Sequence, residues 1–301
     1  LESMSQFEQN DNTGPSARGF QAGPIITAPG GYPDAGNQGH HLNYEVANID
    51  EARTAVLDLV ARGVDYIKIA LEPGPAGYSW PVLSLQEVSA IVEEAHAHGL
   101  LVRAHVTMAD QLDFALDAGI DVIEHVPIPQ LSEADWKIAT ADTDHIILPA
   151  DYQGELIRMI QQNVTMVPTL SVMPTICNMN WYGMPQEFRP MCANLFLEVV
   201  RQFHDMGGMI AVGNDYGNQG AEPGTPLGEM QFLIQVGLTP LEVIQAGTSR
   251  AATVCGHGDE LGTLEVGKLA DLIVVDGDPL KDIEVMNRVV TVIQAGIVVY
   301  P

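Results

Sequence analysis

A rhythm in this chain limits its fold more than any other feature: a helical pattern that stops at a glycine, then a short apolar run, three times in succession. "NIDEARTAVLDLVARG" leads into "VDYIKIA", "SLQEVSAIVEEAHAHG" into "LLVRAHV", and "MADQLDFALDAG" into "IDVIEHV". Glycine past the last apolar-periodic residue is a common helix stop, and a short, partly β-branched run after it reads as a buried strand. Such alternation builds a parallel sheet with helices packed on it, an α/β fold. Parallel strands are expected near residues 25, 66, 102, 122, 165 and 211, with Asp50 as a cap for the first helix.

The later rhythm is looser. Helices are expected over "SEADWKIAT", "DYQGELIRMIQQN" and "MCANLFLEVVRQFHDMG", then at about 226–236 and 240–253, while "HIILP" reads as either strand or loop. Residues 1–50 form a loop-rich stretch with one strand candidate, "PIITA"; residues 51–258 carry the alternation; residues 259–301 switch to short strands and turns, a small β-structure of their own. The stretch "SVMPTICNMNWYGMPQEFRP" reads as a loop whose Met173, Met179, Trp181, Tyr182 and Met184 either wall a site or pack against neighbours. No fixed-length repeat is present, which argues against a solenoid.

Composition narrows the partners. The chain has 301 residues, 46% of them hydrophobic, enough for a sizeable core. Against 39 acidic residues stand 13 Lys and Arg, a net charge of -26 that repels phosphate backbones and makes nucleic acid a poor partner. No run approaches the ~18 apolar residues of a membrane span. The chain opens without Met, so the compartment, cytoplasmic or exported, stays open; the acidic surface is compatible with a salt-adapted source. Cys177 and Cys192 are close enough in sequence to pair, leaving Cys255 over.

In a parallel barrel the reacting groups gather where strands finish. Four strand candidates finish on chemistry: Lys68, His105, His125 and Asp215. Imidazole nitrogen and carboxylate oxygen are ligands of zinc and similar ions, and a carboxylate beside an activated water can also carry its proton. Lys68 has two readings. Its stem lies in the strand while the ammonium reaches Glu72, Asp65 or solvent, or its amine has taken up carbon dioxide as a carbamate and bridges two cations. Arg103, of the same strand parity as His105, is either a substrate-facing cation or one half of an ion pair inside the barrel, and Arg189 is another candidate for carboxylate recognition. His145 either binds a carbonyl or caps local structure.

The segments "GVDYIKI", "LLVRAHV", "AGIDVIEHV", "VTMVPTL", "MIAVGNDYG" and "GLTPLEVIQAGTSRAATVCG", with the terminal "LGTLEVGKLADLIVVDGDPL", resemble the imidazolonepropionase-like branch of the metal-dependent amidohydrolase superfamily. The resemblance implies a distorted (β/α)8 TIM-like barrel with a small β-sandwich built from both chain ends. It implies two divalent metals, usually zinc, bridged by carboxylated Lys68, with His105, His125 and Asp215 as ligands and Asp215 as general base and acid. It implies hydrolysis of amide or peptide-like C–N bonds, with dipeptidases of the Xaa-Pro or Xaa-basic type among the relatives. His40 and His41, beyond "TAPGGY", become candidates to approach the substrate, as does Tyr216 beside Asp215.

One departure matters. The family's His-x-His pair at the end of the first barrel strand is not found near the start; the sole such pattern, His96-Ala97-His98, falls in a helix. The expectation follows that a further segment, cleaved, separate or outside this sequence, completes the barrel, which is here incomplete. The alternatives are a non-catalytic structural or binding subunit, and a lactone or phosphotriester hydrolase on the same scaffold. Oligomeric state, including a homo-oligomer, stays open. A nicotinamide enzyme is disfavoured, since "APGGYPDAG" lacks the strand-to-helix phosphate loop with its acidic ribose contact.

Overall fold

The computed structural model describes residues 18–36, 43–140, 146–217 and 224–300. Six strands form one parallel sheet: β1 (Ile25–Thr27), β2 (Asn43–Glu45), β3 (Ile67–Ala70), β4 (Val102–His105), β5 (Val122–Glu124) and β6 (Thr165–Val167), in the order β2-β1-β3-β4-β5-β6. Five of the six expected strands are present. Around residue 211 the backbone makes a single parallel bridge, Met166 with Ile210, and the sixth strand is instead β2, on the far side of β1. β2 is three residues long and reads "NYE", with no apolar run to betray it.

The helices between these strands follow from local chemistry. α1 (Ile49–Ala61) is capped by Asn48, whose side chain accepts from the Glu51 N–H; Asp50 lies in the first turn, where it faces the positive helix end, and is not the cap expected from sequence. α2 (Leu85–Ala97) starts with a reciprocal capping box, Ser84 with Glu87. α3 (Ala109–Ala118) ends on Gly119 at φ 82°, a left-handed conformation that costs a residue with a Cβ. α4 (Glu133–Ala139) and α5 (Ala150–Gln161) complete the regular part.

Residues 171–190 are more ordered than their sequence suggests. α6 (Met173–Met179) occupies the first part, and a disulfide from its Cys177 to Cys192 ties it to the first residue of α7 (Cys192–Asp205). The helix expected at 240–253 is broken at Gly247–Thr248 into α9 (Pro240–Ala246) and α10 (Ser249–Val254), after α8 (Leu227–Gln235). Beyond them a separate antiparallel sheet, β7 (Leu272–Val275), β8 (Val289–Gln294) and β9 (Ile297–Tyr300), forms the expected appendage.

Register decides what faces what. In a parallel sheet, partnered residues point to the same side, and side chains alternate along each strand. Lys68 partners Arg103, Ala70 partners His105, His105 partners Glu124 and Glu124 partners Val167. All of these therefore share one face. The other face carries Ile67, Ile69, Ala104, Ile123 and Met166, every one at 0% exposure in the core. Apolar side chains go under the helices, and the charged ones line the inside.

Candidate active site

Lys68 is not the last residue of its strand, as the sequence suggested, but the second of four in β3, one layer below His105. Its long stem carries the amine up to Glu124, with which it makes a close ion pair. Arg103 reaches the other Glu124 oxygen, Nε to Oε1 at 2.6 Å, and its guanidinium lies over the Tyr66 ring, 4.6 Å from the centroid. Of the two readings of Arg103, this geometry is the ion pair. The partner of Lys68 is neither Glu72 nor Asp65 but Glu124.

Glu124 lies within "VIEHV", and the register of β5 on β4 and of β4 on β3 puts its carboxylate on the same interior face as two cations. Burial works against its charged form, yet Lys68 and Arg103 together hold its carboxyl down at about 2. Burial also lowers Lys68, and Glu124 offsets that only in part.

His105 ends β4; His125 follows β5 by one residue and has φ 73°. Their rings meet with His125 Nε2 and His105 Nδ1 2.9 Å apart. On the far side of His125, Nδ1 lies 2.7 Å from the Thr169 hydroxyl, and on the far side of His105, Nε2 lies 3.2 Å from Glu72. One proton arrangement satisfies all three contacts with a neutral His125 ring: Thr169 donates to His125, His125 to His105, and His105 to Glu72. Burial, with His105 and Lys68 nearby, pushes His125 well below its ordinary value, in keeping with a neutral ring.

Glu72 is 1% exposed, and besides His105 it accepts from the Thr107 hydroxyl at 2.6 Å and the Gly74 N–H at 2.8 Å. Burial raises its carboxyl, but these hydrogen bonds and the His105 ring outweigh that and leave it below the ordinary value.

A cavity of about 260 Å³ opens over these groups, lined by Glu72, His105, His125 and Asp215 at its base. Tyr32 lines it too and stacks on His105 with centroids 4.4 Å apart. Burial, then the nearby Asp215 and Glu72 carboxylates, push its hydroxyl up to about 12, so it remains a donor. Tyr32 is the tyrosine of "TAPGGY", upstream of the candidate histidines. Those histidines, His40 and His41, and also His145, lie outside the described residues. Tyr216 is 68% exposed and does not line this cavity. Arg189 is exposed, with Nε at 3.5 Å from the Met184 carbonyl, and does not line it either. His96 ends up on the surface beside Asp121, 2.8 Å away. Among the described residues, no group of three or more His, Cys, Asp or Glu side chains forms a metal-binding cluster by itself.

The backbone is strained at three residues of the site. His125, Thr169 and Asp215 all have positive φ, at 73°, 50° and 52°, a conformation that a β-branched residue such as Thr avoids. Strain of this kind costs of order 1–3 kcal/mol per residue and collects at functional sites. Gly213 sits directly before the last of these turns, and a Cβ there would meet Val167 Cγ1 at 2.5 Å. Gly213→Ala is therefore expected to move Asp215 against Thr169 and to lower turnover by up to about 10²-fold, the effect of an ångström of misplacement, while circular dichroism stays that of the parent. Unchanged kinetics would show that the approach of this segment to β6 does not control the site.

Residues 16–299 match the Amidohydrolase family. The chain belongs to the amidohydrolase family. Among curated proteins it is 28% identical over 250 residues to ochratoxinase of Aspergillus niger, covering 80% of this chain and 46% of that one. To imidazolonepropionase of Symbiobacterium thermophilum it is 28% identical over 237 residues, covering 74% and 45%. The crystal structure of a Xaa-Pro dipeptidase with bound methionine in its active site superposes with a TM-score of 0.73 at 28% identity, covering 98% of this chain and 71% of that one. This amidohydrolase chain thus spans about half the length of the curated relatives it matches. No helix among the described residues is long and apolar enough to cross a membrane.

Proposed function

We propose that this amidohydrolase chain carries the reaction centre of a metal-dependent hydrolase of amide or peptide-like C–N bonds. The observation that carries the reading is convergence: two touching imidazoles, the Lys68–Glu124–Arg103 cluster beside them and Asp215 gather at or beneath the base of one cavity. The relationship to a Xaa-Pro dipeptidase supports a peptide-like bond.

The donor set fits a divalent cation. His105 Nδ1 and His125 Nε2 are turned toward each other and share a proton that a cation would displace. His105, His125, Asp215 and a carboxylated Lys68 would hold two cations, with zinc the ion best matched to these donors. When bound, they would polarise the scissile carbonyl and make water more acidic.

Everything else falls to the chain's own groups. Burial favours the neutral amine of Lys68, the form whose nitrogen bonds the carbon of carbon dioxide and then releases a proton. Glu124 does not lose its counter-charge in that event, because Arg103 already holds it. Glu72 fixes the His105 ring, and Thr169 fixes that of His125. Asp215 takes a proton from water as the water oxygen bonds the carbonyl carbon, and returns it to the nitrogen as the C–N bond breaks. Tyr32, still protonated, can donate to the oxygen that gains charge.

The test uses the protein isolated from its source, with whatever segment completes it. Elemental analysis is expected to find two divalent ions per site, and benzamides, lactones and phosphotriesters are assayed side by side, with the benzamides turned over best. Asp215→Asn is expected to lower kcat by about 10²–10⁴-fold. A metal-free protein without turnover would favour the binding-subunit reading, and preferred turnover of lactones or phosphotriesters would redirect the substrate assignment.

A further inference from the structure

One buried carboxyl takes no part in the centre described above. Glu229, in the first turn of α8, is 0% exposed. The other two buried glutamates face nitrogen side chains, Glu72 that of His105 and Glu198 that of Arg201. Glu229 turns instead to a stretch of backbone. Its Oε2 accepts from the Ser171 N–H at 2.8 Å and from the Ser171 hydroxyl at 2.9 Å, and the Leu170 N–H donates to the same carboxyl. These N–H groups open a single 3-10 turn, Leu170–Val172, which joins β6 to α6. The opening N–H groups of a helical turn have no partner inside it, so the partner has to come from elsewhere in the fold.

The residue just before that turn belongs to the reaction centre. Thr169 holds φ 50° against the preference of a β-branched side chain, and its hydroxyl lies 2.7 Å from His125 Nδ1. A hydroxyl both donates and accepts, so it can hold that ring in either tautomer. Ser171 is 7% exposed, and removal of the Glu229 acceptor would leave its N–H and hydroxyl as buried donors without a partner. The penalty for such groups is of the same order as the strain held at Thr169, enough for the turn to relax and carry the hydroxyl off the ring.

Resting on the hydrolase reading above, we infer that Glu229 is a positioning residue for His125: from α8 it fixes the 170–172 turn, the turn fixes the Thr169 hydroxyl, and the hydroxyl fixes the imidazole. The requirement is for an acceptor and not for a charge. Burial pushes the Glu229 carboxyl up to about 7, against the pull of the Leu170 and Ser171 donors, so both protonation forms are present near neutrality. The neutral form keeps a carbonyl oxygen that accepts as the carboxylate does.

The test compares Glu229→Met, which keeps the volume and removes the acceptor, with Glu229→Gln, which keeps an acceptor. The protein is studied with whatever segment completes it. Nitrogen NMR of the histidine rings in the metal-free form reads the ring directly, with the His125 signals assigned by their loss in His125→Asn. Glu229→Met is expected to give His125 a mixture of tautomers where the parent has one, and to lower zinc affinity and kcat by about 10–100-fold, while Glu229→Gln restores both to within about threefold of the parent. A role confined to stability would lower the thermal midpoint and leave the ring signals as they are. Unchanged His125 signals in folded Glu229→Met overturn the inference and leave the hydrolase reading standing. Altered signals in a protein whose parent binds no zinc support the inference and sink the hydrolase reading alone. A double-mutant cycle checks the route: added to Thr169→Ala, Glu229→Met is expected to cost less than about a further twofold in kcat, because the link is already cut, and losses that multiply overturn the inference. Should Glu229→Met not fold, Ser171→Ala, which removes only the hydroxyl contact, is expected to move the same His125 signals in the same direction, and signals that stay in place overturn the inference.

Discussion

Lys68→Ala is expected to empty the site of metal and to reduce kcat/KM by at least about 10²-fold, since even groups that merely orient metal ligands are worth 10–100-fold in affinity or activity. Lys68 is the only amine on the interior face of β3 and β4, it lies under the His105–His125 pair, and burial favours the neutral form that carboxylation needs. The substitution also removes one of the two cations on Glu124, but Arg103 remains at 2.6 Å and preserves the fold. Metal content and turnover should therefore fall together in a protein whose thermal transition remains cooperative. Two bound ions and parental turnover in the variant would remove Lys68 from the centre.

Glu124→Gln is expected to be the more damaging change to stability. In the metal-free protein, with Lys68 uncarboxylated, it leaves Lys68 and Arg103, both largely buried, as adjacent cations without a carboxylate, and breaking a buried pair in this way costs about 3–5 kcal/mol. In a chain of this size that is a fall in Tm of order 10 °C. The pH dependence has a definite sign. The folded carboxyl titrates at about 2, below its unfolded value near 4.5, so its contribution is complete above about pH 5 and is lost as pH falls toward 2. Urea midpoints of parent and variant should accordingly lie far apart at pH 7 and draw together on acidification. A gap that is constant with pH would show that the loss is one of packing and not of charge.

These two residues also show where reading a linear chain succeeds. The alternation was legible because helix period, glycine stops and β-branched runs are local properties, and β3 to β6 appear where they predict. Lys68, His105 and His125 were legible as well, since each interrupts or ends an apolar run. Glu124 was missed because its meaning depends on register: only the pairing of β3 with β4 and β4 with β5 puts its carboxylate against both cations. β2 was missed for a related reason, because a three-residue polar strand is held by its neighbour and not by its own propensity.

The region over the cavity followed neither rule. Residues 171–190 read as a loop because Pro, Asn and Gly punctuate it, yet a disulfide to Cys192 and packing against α7 stabilise α6, and the Met and Trp side chains become a wall. The order of helices and strands, the family and the acidic balance are thus written in the residues themselves, since each rests on neighbours a few positions apart or on simple counts. Which carboxylate meets Lys68, how the two imidazoles touch, and why Arg103 is unavailable to a substrate were settled by packing, because those contacts join side chains twenty to fifty-six positions apart that only the sheet brings face to face.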